Sequence, residues 1–483
     1  MNGPIRRLAA VVAVLFASLL ISTTYIQVVD ASSLADKPTN TRSLYKEYGR
    51  QRGPITVAGD AVAESVPSND QYKFLRTYPG GAKYAPVTGY YSTLFGSHGL
   101  EASKNDLLSG TSDQLFYRRI SDLLTGKEPA GAQVELTINP KAQDAAWKGL
   151  GDQRGAVVAL NPKTGDILAM VSKPSFDPDQ LATHNQKDAT AASRKLNADE
   201  DDPLINRAIG GNLYPPGSTF KLITSAAALS NGYDTDSLID GPATLDLPQT
   251  TAGLDNDDHL PCGPNNKTTL LHALQVSCNT AYASLGMELG EQKMLDQAEK
   301  FGFNKELSIP LKVTPSSFPD NLNQPQLAQS SIGQFEDRVT PLQMAMVAAG
   351  IANKGVVMRP NLVRRVLSDQ QKVIEERKTQ ELSEAVTEDV AAKLTTMMEA
   401  VVTDGTGSRA QIDGISVAGK TGTAQHQPGK PPHAWFVCFA PANDPQIAVA
   451  VVVEDGGNLG NEAFGGTLAA PIAKSVMEAV IKK

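Results

Sequence analysis

Three short segments carry side chains that can do chemistry together. The first is Ser218-Thr219-Phe220-Lys221. A serine and a lysine three residues apart at the start of a helix lie on one face, one turn apart. The positive end of that helix favours an alkoxide at Ser218 and an oxyanion developing beside it. Lys221 can take the Ser218 proton if desolvation and a second cation lower its pKa. Pro215-Pro216-Gly217 fixes the entry turn and lets the backbone approach a substrate. The second segment, Ser277-Cys278-Asn279, falls between two helical patterns, where a short polar loop can point a hydroxyl and an amide into a cleft. The third, Lys420-Thr421-Gly422-Thr423, closes an apolar strand. A lysine and two hydroxyls can hold a carboxylate, and Gly422 permits close approach of an extended peptide that pairs with the strand edge. Taken singly, each segment also fits a bland role: a capped surface helix, a cap for the next helix, a plain turn.

Together, in this order, they match the set of SxxK, an SxN-type element and KTG shared by penicillin-binding proteins and class A β-lactamases. The chain resembles class B penicillin-binding proteins well beyond the triplets. Arg154-Gly155-Ala156-Val157-Val158-Ala159-Leu160, Gly165-Asp166-Ile167-Leu168-Ala169-Met170, Asn206-Arg207-Ala208, Tyr214-Pro215-Pro216-Gly217-Ser218, Thr340-Pro341-Leu342-Gln343 and Gly419-Lys420-Thr421-Gly422-Thr423-Ala424-Gln425 all carry the likeness. It runs from about residue 150 to the end. Arg52-Gly53-Pro54-Ile55 is similar to a degraded RGxI element of the same class, and the modest length resembles the penicillin-binding protein A type of actinobacteria.

The resemblance implies a D,D-transpeptidase. Ser218 would attack the carbonyl between two D-alanines of a stem peptide, with Lys221 as base. Ser277 would relay a proton to the leaving amine, with Lys420 shaping the field. Asn279 would bind a substrate amide and orient Lys221. Thr421 and Thr423 would hold the terminal carboxylate, beside Gly422. The backbone N–H groups of Ser218 and Thr423 would form the oxyanion hole. The implied ligands are stem peptides ending in D-Ala-D-Ala and β-lactam antibiotics. No cofactor is implied. A membrane glycosyltransferase is the implied partner, because the span from 34 to 140 is too short and too poor in paired acidic residues to polymerise glycan itself.

The elements that must position these residues can be read from periodicity and turn signals. Gly155 to Leu160 and Ile167 to Ser172 form a hairpin across Asn161-Pro162-Lys163-Thr164-Gly165-Asp166. The polar stretch Asp179 to Asp202 reads as an exposed loop. Helical patterns follow at Ser218 to Leu229, Thr269 to Val276, Thr280 to Leu289, from Thr340-Pro341 with threonine as cap, and at Glu388 to Val402. Strands return at Ile415 to Ala418, His433 to Ala440 and Gln446 to Glu454, and a last helix runs from Thr467 to Lys482. A helical middle flanked by strands from both ends is an α+β pattern, with the two ends sharing one antiparallel sheet. This is the serine β-lactamase/transpeptidase-like fold that the resemblance implies. The expected organisation is a cytoplasmic stub and anchor over 1–33, a small strand- and loop-rich domain over 34–140, and a transpeptidase domain over 141–483. Glu336 and Asp337, after Gly333-Gln334-Phe335, read as solvated. Trp435 reads as a packed strand residue, with lining the cleft as the alternative.

Arg6 and Arg7 precede an uncharged stretch from Leu8 to Val29, about 33 Å as a helix, enough to cross a bilayer core. The basic side points inward, which leaves the rest of the chain outside the cytoplasm. An uncleaved single-pass anchor is favoured over a cleaved signal peptide, because the uncharged stretch continues past Ile21 through Tyr25, Ile26, Val28 and Val29. The net charge of -8 offers no basic excess for nucleic acid. Six histidines are scattered without metal-ligand spacing, so no metal site is expected. Of three cysteines, Cys438 lies in a buried strand, while Cys262 and Cys278 lie in or beside loops. If one pair is oxidised it is Cys262 with Cys278; three reduced thiols are the alternative.

Three rival readings remain. A serine β-lactamase of the same fold would need a base for deacylation, and no residue is assignable to it. A D,D-carboxypeptidase would pass the acyl group to water. A non-enzymatic β-lactam sensor or division scaffold would not need all three motifs.

Overall fold

The computed structural model describes residues 2–30, 47–115, 130–211, 213–251 and 253–481. Residues 31–33 of the expected anchor, 34–46 and 116–129 of the expected small domain and Lys482 of the expected last helix lie outside the described residues. A helix over Asn2–Thr24 continues as a π-turn over Tyr25–Val29. The apolar span Gly3–Val29 covers 27 residues; an 18-residue stretch of it has a mean hydropathy of 2.2, and none of that stretch is buried against the rest of the chain. At about 1.5 Å per residue it is long enough to cross a bilayer.

The centre of the molecule is a five-stranded antiparallel sheet. Its order is Ala418–Ala424, His433–Ala440, Ile447–Val453, Gly155–Leu160 and Ile167–Lys173. The two chain ends therefore meet in one sheet. Alternate residues of Gly155–Leu160 serve two cores. Ala156, Val158 and Leu160 pack with the helical middle of the chain, and Val157 and Ala159 pack toward the terminal helices. A strand buried on both faces reads as an unbroken apolar run, which is how Gly155–Leu160 reads. Helices Pro140–Leu150 and Gly465–Val480 cover one face, and Pro341–Ala352 covers the other. Thr340 caps this last helix by accepting from Gln343 N–H at 3.1 Å, with Pro341 in the first turn.

Two sequence expectations fail here. The stretch 179–202 is not a loop: it holds helices Asp179–Ala182 and Gln186–Asn197. The second has Ala189 as its one buried residue, so no apolar period marks it in the sequence. The strand expected over 415–418 instead runs Ala418–Ala424, straight through Lys420-Thr421-Gly422-Thr423. The motif does not close a strand. It is the strand, at the edge of the sheet, paired residue for residue with His433–Ala440.

The residues before 140 form a second sheet with help from far along the chain. Its order is Val373–Glu376, Val363–Leu367, Gln133–Leu136, Ile55–Val57, Asp60–Pro67 and Phe74–Thr77. The first two strands come from the region expected to be purely catalytic. Arg52 and Arg76 clamp the fully buried Glu101, at 2.7 and 2.6 Å. A buried carboxylate is tolerable only with such pairing. Gly53 next to Arg52 is forced by contact, since a Cβ there would lie 1.9 Å from the Ala132 carbonyl oxygen.

Candidate active site

Ser218 sits in a 3₁₀ turn, Gly217–Phe220, that feeds directly into helix Lys221–Leu229. All nine residues of that helix are buried. Gly217 has φ +53°, and a Cβ on it would lie 2.7 Å from the Thr423 carbonyl oxygen. The turn thus lies hard against the edge strand that carries the third motif. Trp435 braces it from below: the indole is fully buried and its Nε1 donates to the Pro215 carbonyl at 3.2 Å. Trp435 is a packing residue, and it does not line the cleft.

One helical turn after Ser218, the wholly buried Lys221 donates from Nζ to the Ser277 carbonyl oxygen at 2.7 Å, to Asn279 Oδ1 at 2.7 Å and to Ser277 Oγ at 3.3 Å. Lys420 is equally buried and donates to Ser277 Oγ at 2.8 Å and to the Thr421 carbonyl oxygen at 2.9 Å. The two amines converge on one hydroxyl. Ser277 is held at φ +63°, a left-handed conformation that costs a non-glycine residue about 1–3 kcal/mol. Burial drives the Lys221 pKa far down, and the neighbouring Lys420 charge drives it further. Burial lowers Lys420 to about 7. Both influences on Lys221 favour the neutral amine, which is the form a proton acceptor needs.

Of the loop 253–263 the sequence singled out only Cys262, yet the whole loop builds one wall of the site. Asn279 Nδ2 donates to Asp257 Oδ1 at 2.9 Å and to the Asp255 carbonyl oxygen at 3.3 Å. This holds the amide so that its oxygen faces Lys221. Asn256 Oδ1 accepts from the backbone N–H of Asn279 at 2.9 Å and of Thr280 at 3.1 Å, closing the first turn of helix Asn279–Leu289. A disulfide between Cys262 and Cys278, with Cα atoms 6.0 Å apart, ties the same loop to the second motif. Cys438 is a buried free thiol. Thr406 was also missed; its hydroxyl lies 2.6 Å from that of Thr421.

Ser218 and Thr423 both line two adjoining cavities. One, of about 660 Å³, also takes in Ser277, Thr421 and Gly422. The other, of about 650 Å³, takes in Asn279, Asp257 and Gln425. Both volumes lie in the range of small-molecule sites. A Cβ on Gly422 would sit 2.9 Å from Thr219 Cγ2 and 3.0 Å from Trp435 Cβ, so the edge strand can approach the nucleophile turn only with glycine there.

Asp337 is a correction. Glu336 is exposed, but Asp337 is fully buried, and neither of its oxygens finds a hydrogen-bond partner among the described residues. Burial pushes its carboxyl far above the ordinary range. The segment turns inward because Gly333, at φ +76°, presses its carbonyl oxygen to the Gly217 N–H at 2.9 Å, behind the nucleophile.

Residues 155–478 match the penicillin binding protein transpeptidase domain, and residues 52–134 match the penicillin binding protein A dimerisation domain. The chain is 44% identical to the peptidoglycan D,D-transpeptidase PbpA of Mycolicibacterium smegmatis, over 100% of both chains. It superposes on penicillin-binding protein A from M. tuberculosis in its ceftriaxone acyl-enzyme complex, with a TM-score of 0.88 at 42% identity, covering 91% of this chain and 100% of that one. The penicillin G acyl-enzyme of the same M. tuberculosis protein gives a TM-score of 0.85 at 42% identity, over 89% and 99%. The α+β architecture, the convergence of two buried lysines on one serine hydroxyl and these likenesses agree: the chain belongs to the penicillin-binding protein transpeptidase family.

Proposed function

We propose that the chain is a peptidoglycan D,D-transpeptidase that cross-links stem peptides ending in D-Ala-D-Ala and is acylated at Ser218 by β-lactams. The observation that carries the reading is Lys221. It is fully buried, depressed in pKa, and hydrogen-bonded to both Ser277 and Asn279 one turn from Ser218.

In this reading the Ser218 hydroxyl attacks the carbonyl carbon of the penultimate D-alanine and gives its proton to the Lys221 amine. The oxyanion is met by the backbone N–H groups of Ser218 and Thr423, each such donor being worth about 3–4 kcal/mol in comparable sites. Collapse breaks the peptide bond. The departing amine of the last D-alanine receives a proton through Ser277, whose hydroxyl Lys420 contacts at 2.8 Å. Thr421 and Thr423 hold the terminal carboxylate. A second stem-peptide amine then attacks the ester, forms the new amide and returns Ser218 to its hydroxyl form. The edge position of Ala418–Ala424 supports docking of the stem peptide as an added strand.

The proposed setting is the cell membrane, with the anchor at 1–33, the catalytic part 141–483 outside the cytoplasm, and 34–140 facing a membrane glycosyltransferase. Leu94 and Phe95 are exposed at the tip of the short hairpin Tyr91–Ser97. Aspartate at both positions is expected to reduce co-purification with that polymerase; undiminished association would count against this surface.

The decisive test is intact mass after incubation with benzylpenicillin, beside Ser218→Ala. A lasting adduct on the native chain alone supports the transpeptidase. An adduct that clears within seconds indicates a β-lactamase, and no adduct indicates a scaffold.

A further inference from the structure

The turn that leaves the third motif strand brings together three side chains that no step of the reaction uses. His426 follows strand Ala418–Ala424, His433 opens strand His433–Ala440, and Asp455 follows strand Ile447–Val453. These strands are neighbours in the sheet, so the three residues lie at one end of three adjacent strands. His426 Nε2 lies 3.0 Å from Asp455 Oδ1, and His433 Nδ1 lies 3.7 Å from the same oxygen. One ligand atom from each falls within 4.8 Å of the other two. A tetrahedral ion with bonds of about 2.0 Å keeps its ligands about 3.3 Å apart, a value that 3.0 and 3.7 Å bracket.

We propose that His426, His433 and Asp455 bind one divalent transition-metal ion, of the zinc or cobalt class, which clips the 425–432 turn to the end of the sheet. Two imidazoles and one carboxylate are a donor set suited to such ions and leave room for water as a further ligand. The carboxylate is available. Among the described residues no lysine or arginine pairs with Asp455, whereas its neighbour Glu454 is already held by Arg154, Arg207 and Tyr214. Asp455 sits at φ +50°, two residues past the end of its strand. His426 Nδ1 is buried without a hydrogen-bond partner, and its ring stacks on that of His433 with centroids 3.9 Å apart at 18°, so binding one ion requires one of the two imidazoles to turn out of the stack. His433 Nδ1 accepts a single bond, from the Asp455 N–H at 3.1 Å, which an ion would replace. The sequence spacing of His426 and His433 did not suggest a site, because the third ligand lies 22 residues beyond His433 on a different strand. The clip bears on the cleft through Gln425, Lys430 and Pro432, which line a cavity shared with Ser218.

The test uses the full-length chain in detergent, purified without a histidine tag and stripped with a chelator. Zinc and cobalt(II) are titrated by calorimetry, with the visible absorption of cobalt as a second readout. One equivalent should bind with the intense bands of a low-coordinate site, and metal should raise the melting temperature. In His426→Ala the affinity should fall at least about 100-fold, since even supporting partners of metal ligands are worth about 10–100-fold. Asp455→Asn keeps the hydrogen bond to His426 but loses the anionic ligand, so it should fold as the native chain does without metal and lose the metal-dependent rise in melting temperature. Absence of stoichiometric binding, or affinities in the two variants within threefold of the native chain, would overturn the proposal and leave a hydrogen-bonded His–Asp cluster.

Discussion

Replacing Lys420 by methionine removes a charge from beside Lys221 while nearly conserving volume. Both amines reach Ser277 Oγ, Lys221 at 3.3 Å and Lys420 at 2.8 Å, so the two nitrogens are no more than about 6 Å apart. At an effective dielectric of about 20, a unit charge at that distance is worth about 3 kcal/mol, or about 2 pKa units. The sign follows from the cause. Lys420 lowers the Lys221 pKa, so its loss raises it. Below about pH 7 Lys420 is mostly protonated, so the full charge is lost in that range. Only unprotonated Lys221 can accept the Ser218 proton. The acid limb of the acylation profile should therefore move up by about 2 pH units. The assay is the second-order rate of benzylpenicillin acylation, followed by intact mass across the acid and neutral range, for the native chain and Lys420→Met. A uniform drop in rate with the acid limb unmoved would refute the claim that Lys420 tunes Lys221, whatever else Lys420 does.

Asp257 acts on Lys221 in the opposite sense, since its charge raises that pKa. Asp257→Ala should shift the acid limb downward and, by freeing the Asn279 amide, slow acylation about tenfold; an upward shift would refute this. Opening the Cys262–Cys278 bridge, a sequence separation of 16, should cost about 3 kcal/mol of stability by urea titration and loosen the wall that holds Asn279. Burial raises the Asp337 carboxyl pKa in the fold, so above about pH 4 the folded state holds this proton more tightly than the unfolded state does. Its contribution to stability is thus present at low pH and fades as pH rises toward the raised folded pKa. Asp337→Asn should flatten that decline in melting temperature and leave acylation intact; a variant with the native slope would show that the carboxyl is ionised in the fold.

The motif residues were legible in the sequence because each is local. Ser218 and Lys221 sit one helical turn apart, and Lys420 to Thr423 lie on one strand, so spacing alone conveys how they are presented. The sheet shared by both chain ends was legible for a similar reason: Gly155–Leu160 and Ile447–Val453 are buried on both faces and read as unbroken apolar runs. What escaped is held by partners distant in sequence. Asn256 and Asp257 are more than twenty residues before Asn279, in an Asp- and Asn-rich stretch that reads as ordinary solvated loop. Thr406 meets Thr421 only because helix Glu388–Thr403 returns the chain to the edge strand. Asp337 reads as polar, but the contact of Gly333 with Gly217 draws its segment inward. Helix Gln186–Asn197 has almost no buried face and so leaves no period to find.

The sheet before residue 140 takes two of its six strands from Val363–Leu367 and Val373–Glu376. Inheritance of this protein is constrained accordingly. A recombination event that exchanged only the first 140 residues with those of a relative would join four foreign strands to two native ones. Strand Gln133–Leu136 would then have to match Val363–Leu367 in register, with Glu135 opposite Arg365. The front of the chain is not a module that evolution can shuffle freely. Substitutions on Gln133–Leu136 and Val363–Leu367 should change together across descendants, although more than two hundred positions separate them.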